Sequence, residues 1–248
     1  MDKCSKNFRK NRFLCVLLST ISDKKMTISD KIRAIRATLP QGVTLVAVSK
    51  THPVEAISEA YEAGQRIFGE SRPQELKAKY KALPRDVEWH MIGHLQTNKV
   101  KYIAPFVALI HSVDSSRLAE CIDREAAKCG RVIDCLLEIH VASEESKSGW
   151  DYQELLDYVR SGALSELKNI RIRGVMCIAT NTEDEALIRA DFERLAAYHA
   201  ELAQHFGEEF DTISMGMSDD YPLAIACGST MVRIGSSIFG NRNYTQKE

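Results

Sequence analysis

A lysine stands where an apolar run ends, at a position where its charge is costly to bury. The segment "LVAVSKTHP" (45–53) begins as a buried strand, and Lys50 follows that strand directly. Because removing an ammonium from water is unfavourable, such a lysine is either a solvated rim residue or an amine that does chemistry. Where surrounding groups exclude water, its pKa falls and the neutral amine becomes a nucleophile.

Two later segments are rich in glycine and serine, the residues that bind phosphate through backbone amides and hydroxyls. They are "SMGMSDD" (214–220) and "RIGSS" (233–237). Ser218 and Asp219 are candidate N-caps for a helix over "DDYPLAIACG", whose amides would point at an anion. Gly235 allows close backbone approach and Ser236 adds a hydroxyl. No Walker lysine motif and no GxGxxG is present, so a nucleotide site is not indicated.

A lysine facing a phosphate-binding loop suggests Schiff-base chemistry with a phosphorylated aldehyde. Arg233 ends the apolar run "MVRI" and would lie beside the Lys50 strand in a closed barrel. An arginine there fits the pyridine nitrogen of pyridoxal 5'-phosphate and, being always protonated, would keep that nitrogen unprotonated. Further residues after apolar runs are candidate contacts to this cofactor: Ser71, His90 and Met215.

A repeating alternation of elements must position these residues. Eight apolar, β-rich runs alternate with helical patterns, several of which end in glycine, namely Gly64, Gly130 and Gly207. The alternation predicts a single (β/α)8 barrel, in which active residues gather at the C-terminal ends of the strands. A doubly wound open sheet is the alternative, because alternation alone does not distinguish the two.

Composition excludes several classes of protein. The chain of 248 residues carries 33 basic and 34 acidic side chains, a balance that gives no support to nucleic-acid binding. Seven scattered cysteines form no disulfide framework and fit the reducing cytoplasm. His90 and His94 suggest a metal pair, but no HExxH helix surrounds them, so we predict no metal site. No apolar stretch approaches a membrane-spanning length.

The N-terminal segment differs from the rest. Residues 1–25 are basic and then briefly apolar, without the cleavage site of a secretory signal, and we expect them to be a disordered extension outside the fold. Met26 opens "MTISDKIRAIRATLP", an amphipathic helix with Ser29 or Asp30 as candidate cap. We therefore expect one domain over residues 26–248, with an extra N-terminal helix before the barrel.

At these residues the sequence resembles a known family. The segments "VAVSKTHP", "RIFGES", "WHMIGHLQTNK", "EESKSG", "IRGVM", "SMGMSDDYPLAI" and "VRIGSSIFG" occur in the order seen in the YggS/PROSC family, the pyridoxal phosphate homeostasis proteins. The resemblance covers about residues 26–244 and implies a barrel like the N-terminal domain of alanine racemase. It implies that Lys50 forms the Schiff base, that Ser218, Gly235 and Ser236 bind the phosphate, and that Arg233 faces the pyridine nitrogen.

Three positions depart from the family pattern. Ser71 replaces an asparagine in "FGESRPQE", His140 stands where an asparagine is usual, and Ala179 replaces a proline. A serine still donates one hydrogen bond, but its side chain is shorter. These departures bear on contacts to the cofactor ring and leave the lysine and phosphate assignments intact.

The resemblance implies a cytoplasmic protein that binds pyridoxal phosphate and supplies or buffers it, with no turnover reaction. Its implied partners are the cofactor, amino acids and pyridoxal-phosphate-dependent apoenzymes, with no nucleic acid or membrane, and we expect a monomer or weak dimer. The alternative is a pyridoxal-phosphate-dependent amino-acid racemase. Such two-base chemistry needs a second positioned acid or base, for which the sequence offers only weak candidates.

Overall fold

The fold is a closed barrel of eight parallel strands. The structure, a computed structural model, describes residues 26–144 and 148–240, so the expected extension over residues 1–25 lies outside the described residues. The strands pair in chain order, and the first also pairs with the last. This closure confirms the predicted (β/α)8 barrel and contradicts the open-sheet alternative. The strands are β1 Thr44–Val48, β2 Ile67–Glu70, β3 Glu88–Met91, β4 Leu109–Val113, β5 Ile133–Glu138, β6 Ile170–Met176, β7 Thr212–Ser214 and β8 Met231–Ile234.

Helices connect the strands and cover the outside of the barrel. They are α1 Ile28–Thr38, α2 Val54–Glu62, α3 Pro73–Ala82, α4 Thr97–Val100, α5 Ser116–Lys128, α6 Tyr152–Arg160, α7 Glu185–Leu202, α8 Tyr221–Ala226 and α9 Ser236–Phe239. Short 3-10 turns span Ala163–Glu166 and Ala203–His205. Among the described residues, no helix has both the length and the apolar character that crossing a membrane requires.

Strand residues divide between two apolar clusters. A small cluster fills the barrel interior and contains Val46, Leu109, Leu136, Met176 and Met231. The neighbours in sequence, such as Ala47, Ile110 and Val232, belong to the larger cluster that packs the helices onto the barrel. Because side chains alternate along a strand, this division shows which side chains of each strand point into the barrel.

Helix α1 confirms the predicted extra N-terminal helix. Its buried face contains Ile32 and Ile35. The prediction of Ser29 or Asp30 as cap is wrong, because Thr27 is the N-cap and its hydroxyl accepts from the amide of Asp30. Asp30 completes a capping box from within the first turn.

Glycine ends two of the helices as expected. Gly64 and Gly130 follow α2 and α5 with φ of 86° and 62°. Residues other than glycine adopt these positive φ values only at a cost in conformational energy. Gly207 does not have this role. Helix α7 ends at Leu202 and a 3-10 turn follows it, so the regular helix is already over before Gly207 is reached.

Candidate functional site

The predicted site residues gather at one rim of the barrel. Lys50 follows β1, Ser71 follows β2, Ser218 lies after β7, and Gly235 and Ser236 follow β8. Since all eight strands are parallel, these positions share the C-terminal end of the barrel, where barrel enzymes place their reactive groups. The tertiary structure therefore brings together residues up to 186 positions apart in the chain, from Lys50 to Ser236.

The chain around Lys50 packs against the chain after β8. Gly235 is so close to β1 that an added Cβ would lie 3.2 Å from the carbonyl oxygen of Val48. The His52 ring stacks on Phe239 with ring centroids 5.0 Å apart. Lys50 is half-buried, and Thr51 beyond it has a φ of 68°, which is unusual for a threonine. The lysine and the serine–glycine loop are thus neighbours at the rim.

Lys79 and Glu70 bind Ser49, the residue just before Lys50. Lys79 on α3 forms a buried ion pair with Glu70 at 2.7 Å and donates to the Ser49 carbonyl at 2.7 Å. The Ser49 hydroxyl donates to the same Glu70 carboxylate at 2.6 Å. The side chain of Glu70 therefore lies in the layer between strand and helix and does not enter the barrel mouth. Lys79 was missed from the sequence, since nothing in its exposed-looking helical pattern distinguishes it from Lys77 or Lys81.

The serine–glycine loops after β7 and β8 meet at the Ser218 hydroxyl. The Ser218 Oγ accepts from the amides of Gly235 at 3.3 Å and Ser237 at 3.5 Å. The prediction that Ser218 and Asp219 cap helix α8 is wrong, because Asp220 is the N-cap residue and no side-chain cap bond forms. Ser218 instead joins the two loops. Its hydroxyl and these two amides are the group that an anionic oxygen would contact.

Arg233 is buried inside the barrel, and its guanidinium donates three hydrogen bonds to oxygens of Ser214 and Cys177. It pairs in register with Val46, a residue of the interior cluster. Its Nη1 donates to the carbonyl and hydroxyl oxygens of Ser214 at 2.8 and 2.7 Å, and its Nη2 donates to the Cys177 carbonyl at 2.8 Å. Burial lowers the pKa of Arg233, while nearby Asp220 and other acidic groups oppose that shift. These contacts within the protein orient the Arg233 guanidinium without the help of a ligand.

A chain of hydrogen bonds continues from Arg233 through the barrel interior. His111 Nδ1 lies 3.0 Å from Ser214 Oγ, and His111 Nε2 lies 2.9 Å from His90 Nδ1. Arginine can only donate, so Ser214 Oγ accepts from Arg233, and its hydroxyl hydrogen is available to His111 Nδ1, whose Nε2–H can then donate to His90 Nδ1. In this arrangement both imidazoles are neutral. Burial favours that form, lowering the pKa of His90 to about 3 and that of His111 well below its usual value.

The position predicted for His90 is therefore corrected. The residue lies within β3 rather than after it, and its side chain faces the barrel interior below the rim. Direct contact between His90 and a cofactor stays a prediction. His111 was missed from the sequence, although the period-2 alternation in "LIHSV" was a signal, since it puts His111 on the same face as the interior Leu109.

Glu138 is a third residue that the sequence analysis missed. It ends β5 on the same face as Leu136 of the interior cluster, and 4% of it is exposed. Its Oε2 atom has no hydrogen-bond partner among the described residues. Burial, together with the charge of Asp114, raises the pKa of Glu138 to about 7, and Arg233 opposes this shift.

Met215 has a packing role in this structure. Its side chain is fully buried in the larger apolar cluster, its amide donates to the Met231 carbonyl at 3.2 Å, and its carbonyl accepts from Ser229 at 2.8 Å. Its neighbour Ser214 is the residue of that segment that faces the interior. Ser71 is half-buried at the rim. The cofactor roles predicted for Met215 and Ser71 stay predictions.

The two histidines considered as a metal pair have separate partners. His94 Nδ1 lies 3.1 Å from Asp114 near the surface, whereas His90 bonds to His111 inside the barrel. In the described part of the chain, no three His, Cys, Asp or Glu side chains gather in a way that could hold a metal ion.

The remaining departures from the family pattern lie close to a partly described loop. His140 Nε2 lies 3.0 Å from the Glu144 carbonyl, and Ala179 is buried in the larger cluster. The motif "EESKSG" begins at Glu144, and residues 145–147 within it lie outside the described residues.

Comparison with known proteins identifies relatives over most of the chain. Residues 25–243 match the family described as "Alanine racemase, N-terminal domain". A pyridoxal phosphate homeostasis protein of Aquifex aeolicus is 42% identical over 204 residues, covering 81% of this chain and 87% of the relative. A protein of the same name from Escherichia coli K12 is 38% identical over 238 residues, covering 93% of this chain and all of the relative.

Solved structures agree with this relationship. PipY of Synechococcus elongatus, with pyridoxal phosphate bound, is 41% identical, covers 86% of this chain and 100% of that chain, and has a TM-score of 0.79. Alanine racemase of Bartonella henselae is 17% identical with a TM-score of 0.67, and the match spans 60% of the racemase, so that likeness shows the fold alone. The chain belongs to the family of pyridoxal phosphate homeostasis proteins and has the barrel of the alanine racemase N-terminal domain.

Proposed function

We propose that this protein binds pyridoxal phosphate at the C-terminal mouth of the barrel and holds it for supply and buffering. The observation that carries the proposal is the packing of the Lys50 segment against the serine–glycine loop after β8. A nucleophilic amine and a set of anion-binding donors are thereby adjacent. When bound, the cofactor supplies an aldehyde that condenses reversibly with a primary amine.

The rim residues fit the phosphate of this cofactor. The amides of Gly235 and Ser237 each lie within 3.5 Å of the Ser218 Oγ atom. The approach of Gly235 to Val48 is tight, because a Cβ added at Gly235 would lie 3.2 Å from the Val48 carbonyl oxygen. Hydrogen bonds from such donors to a charged oxygen are about twice as strong as those between neutral groups, so we assign the phosphate to this loop.

Arg233 would hold the ring and limit its reactivity. Its guanidinium is oriented by Ser214 and Cys177 and is positioned to donate to an acceptor nitrogen. Because arginine does not release its proton at neutral pH, it cannot protonate that nitrogen. A ring held in this way is a weaker electron sink than one paired with a carboxylic acid. This supports a carrier that keeps the cofactor without using it for turnover.

The racemase alternative has support only at the level of the fold. We infer that amino acids are partners because their amines can displace Lys50, and that apoenzymes receive the released cofactor.

The described cysteines are all free, and their burial or isolation fits the reducing cytoplasm, where we place the protein.

The test is to titrate pyridoxal phosphate into the apoprotein, reduce with borohydride, and locate the pyridoxyl group by mass spectrometry. We expect one label on the peptide containing Lys50, and Lys50→Ala should abolish it. Lys101→Ala, which changes an exposed lysine, is the matched control and should label like the parent. Stoichiometric labelling at another lysine would refute the assignment. Deuterium entering the α-carbon of added L-alanine at about 1 per second or faster would instead favour a racemase.

A further inference from the structure

Glu138 is a buried polar residue at the barrel mouth that the proposed site has not used. It is the last residue of β5, so its carboxyl lies at the same end of the barrel as Lys50. Its side chain faces the interior, as does that of Leu136 two residues earlier. Its Oε2 is buried without a hydrogen-bond partner among the described residues. A buried oxygen left in this state costs about 1–3 kcal/mol, so stability does not explain the residue.

The groups around Glu138 favour its neutral form. Burial is the largest cause of its raised pKa, and Asp114 beyond β4 adds to the shift. Arg233 on β8 is the opposing positive charge. On the neighbouring strands, burial keeps the His111 imidazole neutral and the Cys177 thiol protonated. The carboxyl therefore titrates near neutrality, with a pKa of about 7.

We propose that Glu138 is a ligand-contacting residue whose protonated carboxyl donates a hydrogen bond to an acceptor atom of bound pyridoxal phosphate. The inference rests on the proposed function. The ligand is an anion rich in acceptor oxygens, so a neutral acid fits it and a charged carboxylate would repel it. The donors assigned to the phosphate lie after β7 and β8, whereas Glu138 is on β5, so the acceptor belongs to the ring end of the ligand.

This proposal has a thermodynamic signature. At pH 7 a carboxyl with a pKa of about 7 is roughly half protonated. A ligand that uses the proton raises that pKa further, so binding at pH 7 takes up about half a proton on Glu138. Charge changes on the ligand and on Lys50 also move protons, but they are common to the parent and to a Glu138 variant. The difference between the two proteins isolates the Glu138 contribution.

The test is calorimetric titration of pyridoxal phosphate into apoprotein at pH 7 in PIPES and in imidazole, which differ in ionisation enthalpy and contain no primary amine. We expect Glu138→Gln, which keeps a donor of the same shape, to take up about half a proton less than the parent. Glu62→Gln, the same substitution at an exposed carboxyl at the end of α2, is the matched control and should show the parent's uptake.

A second variant separates ligand contact from a structural role. Glu138→Leu removes the donor and should bind the ligand roughly fivefold or more weakly than Glu138→Gln, while the melting temperature of its apoprotein is unchanged or raised. If Glu138 were only a counter-ion for Arg233, the melting temperature of Glu138→Leu would fall below that of the parent. The proton uptake of Glu138→Gln on binding would then match that of the parent. Equal uptake in parent and Glu138→Gln overturns this inference alone. No binding by the parent overturns the proposed function as well.

Discussion

The Nη1 atom of Arg233 donates to the Oγ atom of Ser214 at 2.7 Å, deep inside the barrel. This bond joins β8 to β7, and it makes the Ser214 oxygen an acceptor. The Ser214 hydroxyl hydrogen is then available to His111 Nδ1, which lies 3.0 Å away. One serine therefore contacts the guanidinium on one side and a buried histidine on the other.

Ser214→Ala should destabilise the protein by about 1–3 kcal/mol, because it leaves His111 Nδ1 buried without a donor and removes one acceptor of Arg233. Urea unfolding of the apoprotein measures the change in free energy of unfolding. Ser165→Ala, at an exposed position, is the control and should change that free energy by less than about 0.5 kcal/mol. Equal effects of the two substitutions would contradict a stabilising role for the Ser214 hydroxyl inside the barrel.

Lys79→Met should destabilise the apoprotein by about 3–5 kcal/mol, because it leaves the Glu70 carboxylate buried without its cation. Lys81→Met, two residues along the same helix but exposed, is the matched control and should have little effect. Adding Glu70→Gln to Lys79→Met should recover part of the loss, since the buried charge is then gone. A double variant no more stable than Lys79→Met would show that packing, not charge, explains the loss.

His90 should contribute a loss of stability on acidification below about pH 6.5, the usual pKa of histidine in an unfolded chain. Burial lowers the pKa of His90 to about 3 in the folded protein, so the unfolded state binds a proton that the folded state excludes. Each such histidine then costs about 1.4 kcal/mol per pH unit between those two values.

Urea unfolding at several pH values between 7.5 and 5 measures this slope. His90→Asn should reduce the number of protons linked to unfolding by about one. His205→Asn, at an exposed histidine, should leave the slope as it is in the parent. The raised pKa of Glu138 acts in the opposite direction, but it is common to the parent and the His90 variant. Equal slopes in the parent and in His90→Asn would contradict the neutral, buried state of His90.

Pyridoxal phosphate should bind roughly 100-fold or more tightly than pyridoxal, because the phosphate gains several charge-assisted hydrogen bonds of about 1.5–3 kcal/mol each. Ser218→Ala should weaken binding of the phosphorylated aldehyde and leave that of pyridoxal nearly unchanged. Absorbance titrations with both aldehydes measure the four affinities. Similar affinities for the two aldehydes in the parent protein would place the phosphate elsewhere.

Local sequence was sufficient for the alternating α/β class and for the rim positions, whereas closure of the sheet into a barrel was observed only in the tertiary structure. Apolar runs of strand length alternating with helical periods predict a (β/α)8 barrel, and parallel strands necessarily bring their C-terminal ends together. The positions of Lys50, Ser218 and Gly235 at that rim followed from this rule, because each comes directly after, or in the loop beyond, a recognisable strand. Family resemblance added the cofactor that those positions are expected to hold.

The tertiary structure decided what lies behind the rim. Whether a polar residue within a strand faces the barrel interior depends on strand register and closure, which local patterns do not specify. His90 was therefore placed at the rim when it lies below it, and His111 and Glu138 were overlooked. Likewise, Lys79 looks like any surface lysine until α3 packs over the end of β2 and buries it against Glu70. Long-range packing alone determines which charges are removed from water, and so which side chains have shifted pKa values and fixed hydrogen bonds.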